Sequence, residues 1–221
     1  MSKKAILIGA GGHAKVISEI ALLNNIEIIG LVDLKLPKNT VWENGIKSLG
    51  DEAILDSIKP DEINLLNGIG RIPGNSEARC FLFKKYKEKG FHFPVLIHPS
   101  ATVSPGAFLE EGVQVIAGAI INTKAEVGAN TIVNSGAIIE HDCNIAENVH
   151  ISPGAVICGG VKIGRNVHVG ANAVVIQSIA IGENAVIGAG GVVTKNIEKN
   201  AILFPVRTEA RSISHISDIT K

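Results

Sequence analysis

The sequence predicts an α/β domain followed by a parallel β-helix, and three observations lead to this fold class. An aliphatic residue recurs at every sixth position from Ile97 to Val193. The amino terminus has the pattern of a strand, a glycine loop (GAGGHAK), a helix and a second strand. The chain has 221 residues, 46% of them hydrophobic, which is enough for one large core or two small ones.

Residues 1–93 form the predicted α/β domain. Short apolar runs between polar residues indicate buried strands, and longer runs with a helical period indicate helices. In chain order the predicted elements are a strand at 5–8, a helix at 16–23, strands at 26–32 and 62–66, and a helix at 76–89. The domain therefore opens as a βαβ unit.

The loop between the first strand and the first helix has the spacing of a phosphate-binding turn. Gly9, Gly11 and Ala14 match the pattern G-x-G-x-x-A, and Asp33 ends the second strand at about the expected distance. Backbone N–H groups at the start of a helix bind anions. The unit is too short for the two halves of a dinucleotide site, so a nucleotide or nucleotide sugar is favoured over NAD(P) or a purely structural turn. Asp33 either accepts hydrogen bonds from a ribose or base, or only closes the strand end.

The six-residue repeat predicts the second domain. A period of six fits neither a helix, at 3.6 residues, nor a plain strand, at two, but it fits short strands that each end in a turn. Three such edges make a triangular coil of about 18 residues, so the repeat supplies between five and six coils of a β-helix. Gly, Asn and Asp recur three positions before the aliphatic residues, where a corner needs positive φ.

Composition excludes several classes of partner. The net charge is zero and no basic run is present, so neither nucleic acid nor an anionic membrane is an expected partner. No apolar run approaches the roughly 18 residues of a membrane span, and we expect a cytoplasmic protein with a small soluble ligand. The cysteines, Cys80, Cys143 and Cys158, are odd in number and lack metal-type spacing, so we expect buried thiols and no metal site.

Five motifs carry a resemblance to a known family: GAGGHAK, VDLK, GIGR, LIHPSATVSPGA and NSGAIIEHDCNIAENVHISPGA. With them, the whole chain resembles the bacterial sugar O- and N-acetyltransferases, in which a Rossmann-like sugar-binding domain precedes a left-handed hexapeptide-repeat β-helix. The enzymes that N-acetylate nucleotide-linked 4-amino-deoxy sugars are most similar, and sialic acid O-acetyltransferases are near relatives. The resemblance implies a Rossmann-like domain at 1–93, a β-helix at 94–207 and a tail at 208–221.

His141 and Asp142 fall between the aliphatic positions of the repeat, at a predicted corner that faces outward. An amine or hydroxyl that attacks a thioester must lose a proton, and imidazole, with an ordinary pKa of about 6.5, is suited to accept it. The resemblance gives His141 this role of general base. Asp142 then either orients the imidazole or, as a corner residue, only caps its own turn.

The resemblance also implies the remaining site residues. His150 is expected on a flat outer face, stacked with His168 one coil later, and His168 is expected to be a surface or interface residue. The expected contacts are Gly11, Gly12, His13, Asp33, Leu34 and Gly70 for the sugar nucleotide, and His150, Ala171 and Ala189 for acetyl-CoA.

The expected activity is acetyl-CoA-dependent N-acetylation of a nucleotide-linked 4-amino-deoxy sugar by a homotrimer, with His141 as base. Two alternatives stay open: O-acetylation of sialic acid or another sugar, and a non-catalytic sugar-nucleotide sensor or scaffold. One departure concerns LFPVR, at 203–207, where relatives carry G-x-P-A-[KR]. Pro205 and Arg207 fit this pattern, but bulk replaces a glycine where the outer part of CoA is expected to bind.

Overall fold

The computed structural model describes residues 3–71 and 77–205 and contains an α/β unit followed by a triangular β-helix. Arg207 and the tail at 208–221 lie outside the described residues, and so does the start predicted for the second helix. Neither helix in the described part of the chain has the length and apolar character needed to cross a membrane.

The α/β unit is a three-stranded parallel sheet in the order β2-β1-β3, with one helix after β1 and another after β3. Its elements are β1 (Lys3–Ile8), α1 (Gly12–Leu23), β2 (Ile26–Val32), two short 3-10 turns (Glu43–Gly45 and Glu52–Ser57), β3 (Asn64–Asn67) and α2 (Glu77–Glu88). The βαβ prediction is confirmed, with different boundaries. Helix α1 starts at Gly12 rather than at residue 16, because its first turn is polar and lacks the apolar period used for the prediction.

The β-helix has three flat faces, each made of two-residue parallel strands from successive coils. The first face contains β4 (Leu96–Ile97), β7 (Gln114–Val115), β10 (Ile132–Val133), β13 (His150–Ile151), β16 (His168–Val169), β19 (Val186–Ile187) and β21 (Ile202–Leu203). The second face contains β5 (Thr102–Val103), β8 (Ile120–Ile121), β11 (Ile138–Ile139), β14 (Val156–Ile157), β17 (Val174–Val175) and β20 (Val192–Val193). The third face contains β6 (Phe108–Leu109), β9 (Glu126–Val127), β12 (Asn144–Ile145), β15 (Lys162–Ile163) and β18 (Ala180–Ile181).

The aliphatic repeat forms the core of this prism. Each aliphatic position from Ile97 to Val193 is the second residue of a strand, from β4 to β20, and these side chains pack inward on one another. Three positions earlier, each corner from Gly112 to Gly190 has positive φ, as the turn residues predicted. Lys124 and Ser178 also occupy such corners, although neither residue type favours this conformation.

The last coil is shorter than the others. Ile197 bridges to Ile181, and Ile202 of β21 pairs with Val186 of β19, so both steps are 16 residues instead of 18. This explains why the six-residue register ends at Val193. Pro205 lies directly over Gly188, where a Cβ atom would come within 2.6 Å of the Pro205 Cδ atom.

Helix α1 packs the α/β unit against the first face of the prism. Ala14 and Ile17 of α1 belong to the same buried cluster as Leu96, Ile116 and Ile132 of the β-helix. The two units therefore share a core, and the loop before α1 lies next to the first face.

The three cysteines are free thiols in the structure. Cys143 is buried, whereas Cys80 and Cys158 are half-buried, so the expectation of buried thiols holds fully only for Cys143. The Cys143 thiol donates a hydrogen bond to the backbone carbonyl of Cys158 (3.1 Å).

Candidate active site

His141 and Asp142 form an outward-facing pair at the corner between the second and third faces. The Nδ1 atom of His141 donates to Asp142 Oδ2 at 2.7 Å, and the two side chains are 60% and 55% exposed. Asp142 has a φ of 58°, a conformation that Asp tolerates better than most residues. Asp142 is therefore a corner residue, as expected, but its carboxylate binds the imidazole of His141 rather than capping the turn.

The carboxylate fixes which ring nitrogen of His141 is basic. Because Nδ1 carries the shared proton, Nε2 is left with its lone pair. This atom lies against Gly159 in the next coil, where a Cβ atom would come within 2.8 Å of both Nε2 and Cε1. Glycine at position 159 thus leaves the basic nitrogen uncovered.

A groove of about 470 Å³ runs from this corner onto the third face. Its floor is polar, since Asn144 donates to Glu126 (2.9 Å), and Phe108 at one end is largely exposed. Lys124, one coil before Asp142 at the same corner, lines it as well. Asp142 lines the groove, so a molecule placed in it would contact the His141–Asp142 pair at Asp142.

The glycine loop lies at the amino terminus of α1. Gly11 is the N-cap, with φ −80° and ψ −172°, and no side chain caps the helix or places an acid in its first turn. A Cβ atom at Gly11 or Gly12 would meet nothing within 4 Å. The fold does not require glycine at either position, so the space in front of the helix amides is open to an anionic ligand.

Asp33 and Leu34 lie beside this loop at the end of β2. Asp33 accepts from the backbone N–H of Ala10 (2.9 Å) and from that of Lys35 (2.8 Å), so its carboxylate ties the glycine loop to β2. Leu34 is 83% exposed. The second interpretation of Asp33, closing the strand end, is therefore part of its role.

His13 and Gly70 contact each other across the loop. A Cβ atom at Gly70 would lie 3.2 Å from the Cβ atom of His13. The Nε2 atom of His13 is 2.8 Å from Oε1 of Gln114 on β7. Burial, and then the charge of Arg79, lower the pKa of His13 to about 4, so its ring is neutral at pH 7.

His150 and His168 lie on the first face in adjacent coils as expected, but their rings meet edge to face, with centroids 5.0 Å apart and planes at 85°. His150 is only 8% exposed, however, because the chain at Arg71 covers it. Its Nδ1 donates to the carbonyl of Arg71 (3.1 Å), and its Nε2 accepts from Asn134 (3.1 Å). Burial, and then His168, lower the pKa of His150 to about 3.

Ala171 and Ala189 occupy successive coils at the corner between the first and second faces. The N–H of Gly190 donates to the carbonyl of Ala171 (2.8 Å), which aligns the two coils. Ala171 is half-buried and Ala189 is exposed. Because both side chains are single methyl groups, they project little from this corner of the prism.

Arg71, Arg79 and Gln114 are site residues that sequence reasoning missed. The guanidinium of Arg71 donates to the backbone carbonyls of Asn148 and Asn166, and Arg79 is fully buried next to Gln114. Gln114 is polar and occupies the first position of strand β7, which was a weak indication that it belongs to the site. The GIGR motif contains Arg71, but no local pattern indicated the contacts of either arginine, because their partners are far away in sequence.

The expected base does not meet the expected ligand contacts within one chain. The glycine loop, His13 and His150 lie at the first face, whereas His141 lies at the opposite corner of the prism. Within residues 3–71 and 77–205, no three His, Cys, Asp or Glu side chains are grouped in a way that could hold a metal ion.

Comparisons with known proteins match both units. The PglD N-terminal domain family matches residues 4–86, the bacterial transferase hexapeptide family (six repeats) matches residues 142–177, and the hexapeptide repeat of succinyl-transferase matches residues 160–195.

Solved structures match nearly the whole chain. A variant of perosamine N-acetyltransferase from Caulobacter crescentus, in complex with CoA and GDP-perosamine, is 32% identical with a TM-score of 0.82, over 91% of this chain and 93% of that chain. The acetyltransferase domain of PglB from Neisseria gonorrhoeae, in complex with acetyl coenzyme A, is 33% identical with a TM-score of 0.83, over 91% and 96%. WeeI from Acinetobacter baumannii, 21% identical with a TM-score of 0.78 over 90% and 96%, has the same fold.

These matches confirm the predicted fold class, an α/β domain followed by a left-handed parallel β-helix. The chain belongs to the family of bacterial sugar acetyltransferases that join a PglD-type amino-terminal domain to a hexapeptide-repeat β-helix.

Proposed function

We propose that this protein transfers the acetyl group of acetyl-CoA to the amino group of a nucleotide-linked 4-amino-deoxy sugar, with His141 as the general base. One observation carries the proposal: the exposed His141–Asp142 pair at a prism corner whose facing residue is glycine. The perosamine N-acetyltransferase that resembles this chain was solved with CoA and GDP-perosamine, which supports the substrate class.

In the proposed reaction, Nε2 of His141 accepts a proton from the sugar amine as the nitrogen attacks the thioester carbonyl carbon. The C–N bond forms, the C–S bond breaks, and the CoA thiolate takes the proton from the imidazolium. Asp142 keeps Nδ1 protonated and stabilises the positive ring, the arrangement of an acid behind a base.

The proposed sugar-nucleotide site is the glycine loop of α1, with Gly11, Gly12 and His13 in front and Asp33, Leu34 and Gly70 beside it. The open space at Gly11 and Gly12 and the unpaired helix amides fit a diphosphate.

The proposed acetyl-CoA site follows the prism corner at Ala171 and Ala189, whose small side chains fit an extended molecule close to the backbone. His150 is proposed to lie near the thioester. Because the chain at Arg71 covers most of His150, this contact requires the Arg71 segment to move or the ligand to approach from the Asn134 side.

A homotrimer is proposed because one chain keeps its glycine loop and its base on opposite sides of the prism. A second copy that places its first face against this corner brings the two together, and threefold symmetry repeats the contact. Multi-angle light scattering tests this, since an active monomer would contradict it.

The reaction is tested by incubating the protein with acetyl-CoA and UDP-, GDP- or dTDP-linked 4-amino sugars, following thiol release and the mass of the product. We expect acetylation of at least one of these amines and none of the matched 4-hydroxy sugars. Turnover of sialic acid or of the hydroxy sugars alone would favour O-acetylation, and binding without any turnover would favour a sensor.

The role of His141 is tested with His141→Ala. We expect turnover to fall by about 10²- to 10⁴-fold, the usual contribution of a general base, with an unchanged melting temperature. A mutant that loses its β-helix structure would show that His141 is a structural residue.

A further inference from the structure

A buried polar cluster joins the glycine loop to the β-helix, and Arg79 is at its centre. Arg79 is 1% exposed, and its guanidinium donates to the carbonyls of Asn67 (3.2 Å), Ile69 (2.7 Å) and Asn130 (3.1 Å) and to Oε1 of Gln114 (3.2 Å). No carboxylate is among its partners in the described part of the chain. Burial lowers the pKa of Arg79 to about 9, so the group is still a cation at pH 7.

These contacts fix the orientation of the Gln114 amide. Its Nε2 donates to the carbonyl of Asn67 (2.8 Å), which cannot donate in return, and its Oε1 accepts from Arg79, which cannot accept. If the Gln114 amide were flipped, its N–H groups would face the guanidinium of Arg79. Its oxygen would then face the carbonyl oxygen of Asn67. The Oε1 atom of Gln114 is therefore the atom that faces His13.

The amide orientation in turn sets the protonation of His13. Since Oε1 of Gln114 only accepts, Nε2 of His13 must donate across the 2.8 Å contact. The nearby charge of Arg79 opposes a second proton on the ring. A neutral ring with its proton on Nε2 has a bare lone pair on Nδ1, and this atom has no hydrogen-bond partner among residues 3–71 and 77–205.

We infer that the β-helix, through Gln114 and Arg79, presents His13 to the sugar nucleotide as a neutral hydrogen-bond acceptor at Nδ1. His13 then recognises a hydroxyl or N–H group of the ligand and does not pair with the diphosphate, which is left to the helix amides. Gln114 and Arg79 are positioning residues. The inference rests on the proposed function of the glycine loop.

The ring state is tested directly in the wild-type protein with ¹⁵N-labelled histidine, with the His13 signals assigned from a variant. We expect the proton on Nε2 and no titration between pH 5.5 and 8.5. A proton on Nδ1, or titration in this range, would overturn the inference, and this measurement requires no ligand.

The acceptor role is tested by calorimetry with two amide replacements. His13→Gln keeps a donor at the Nε2 position and loses the acceptor, whereas His13→Asn places an amide oxygen near the Nδ1 position. We expect sugar-nucleotide affinity to fall about 10-fold in His13→Gln and by less than about 3-fold in His13→Asn, as for the loss of one hydrogen bond. Comparing the affinities for the free nucleoside diphosphate and for the sugar nucleotide shows whether the hydrogen-bond donor to His13 lies on the nucleotide or on the sugar.

The positioning role is tested with Gln114→Glu. Among the described residues, Arg79 and His150 are the titratable groups near the ring, and a carboxylate at position 114 would favour imidazolium in spite of both. We expect affinity in this variant to fall as the pH drops, while the wild-type affinity stays flat. Affinity that rises on protonation would overturn the inference, because a cation would then be binding phosphate.

Failure of the proposed function and failure of the inference give different results. A wild-type protein that binds no sugar nucleotide would overturn the proposed function, and the inference with it. Wild-type binding that is unchanged in His13→Gln would overturn the inference alone.

Discussion

The smallest unit of the proposed chemistry is a ring nitrogen, Nε2 of His141, that lies against a glycine. Nε2 of His141 is uncovered because residue 159 has no side chain, although no conformational demand requires glycine there, since its φ is not positive. The close approach of the His141 ring, rather than a backbone conformation, therefore accounts for this glycine.

Gly159→Ala should reduce kcat about 10- to 100-fold, because the new methyl group would lie 2.8 Å from Nε2 and turn the exposed His141 ring away. The melting temperature should change little, since the ring has free space to move into. The control is the double variant Gly159→Ala/His141→Ala, which should be no slower than His141→Ala alone. Additive losses would show that Gly159 acts by a route other than His141.

Lys124→Asn should stabilise the protein by about 0.5 to 1 kcal/mol, because Lys124 has a φ of 58° and Asn tolerates this left-handed region better. Lys162→Asn on strand β15 is the matched control, and there we expect no gain. Urea denaturation measures both. A Lys124→Asn variant no more stable than wild type would show that this corner holds lysine without strain.

Individual residues differ in whether their contacts could be predicted from the sequence. The His141–Asp142 contact was predictable because the two residues are adjacent and the repeat placed both at one corner. The burial of His150 was not, since it depends on Arg71, 79 positions earlier in the chain and in another domain. Contacts of this kind leave no local pattern in the sequence.

At the scale of elements, the six-residue period predicted the strands correctly wherever each strand has the same surroundings. Strands β4 to β20 were predicted in register from one aliphatic position each. The shortened last coil was not, because after Val193 the chain pairs at a spacing of 16 residues and Ile197 breaks the period. Helix α1 was predicted four residues too short because glycine and polar residues form its first turn.

The first turn of α1 gives a prediction for this element. Gly11→Val should leave folding intact, because valine accepts φ −80° and ψ −172° and its Cβ would meet no atom within 4 Å. It should block the approach of a phosphate to the helix amides and raise the KM for the sugar nucleotide about 10- to 100-fold. Acetyl-CoA affinity, measured by calorimetry, should stay nearly unchanged. Equal loss of both ligands would instead place the nucleotide part of CoA in this loop.

At the scale of the whole molecule, the junction between the two units is held by uncharged histidines. His13, His150 and His168 lie at the first face, and the pKa values are lowered to about 4, 3 and 4, in each case mainly by burial. For His168 the charge of Arg71 adds to this effect. Each ring is neutral when folded at pH 6, whereas an unfolded histidine takes up a proton below about 6.5.

The junction should therefore weaken in mild acid. Between about pH 6.5 and pH 4 the unfolded chain binds more protons than the folded one, so stability falls as the pH falls, by at most about 1.4 kcal/mol per pH unit for each histidine. Scanning calorimetry from pH 7.5 to 4.5 should show a steadily lower melting temperature. His168→Phe should reduce this slope by one histidine, because the Nδ1 atom of His168 is buried without a hydrogen-bond partner among residues 3–71 and 77–205, and its charging has no compensation there. A melting temperature that stays constant down to pH 5 would mean that these histidines are already charged in the folded protein or remain in contact with water, and the first face would then not be the closed junction that binds the two domains.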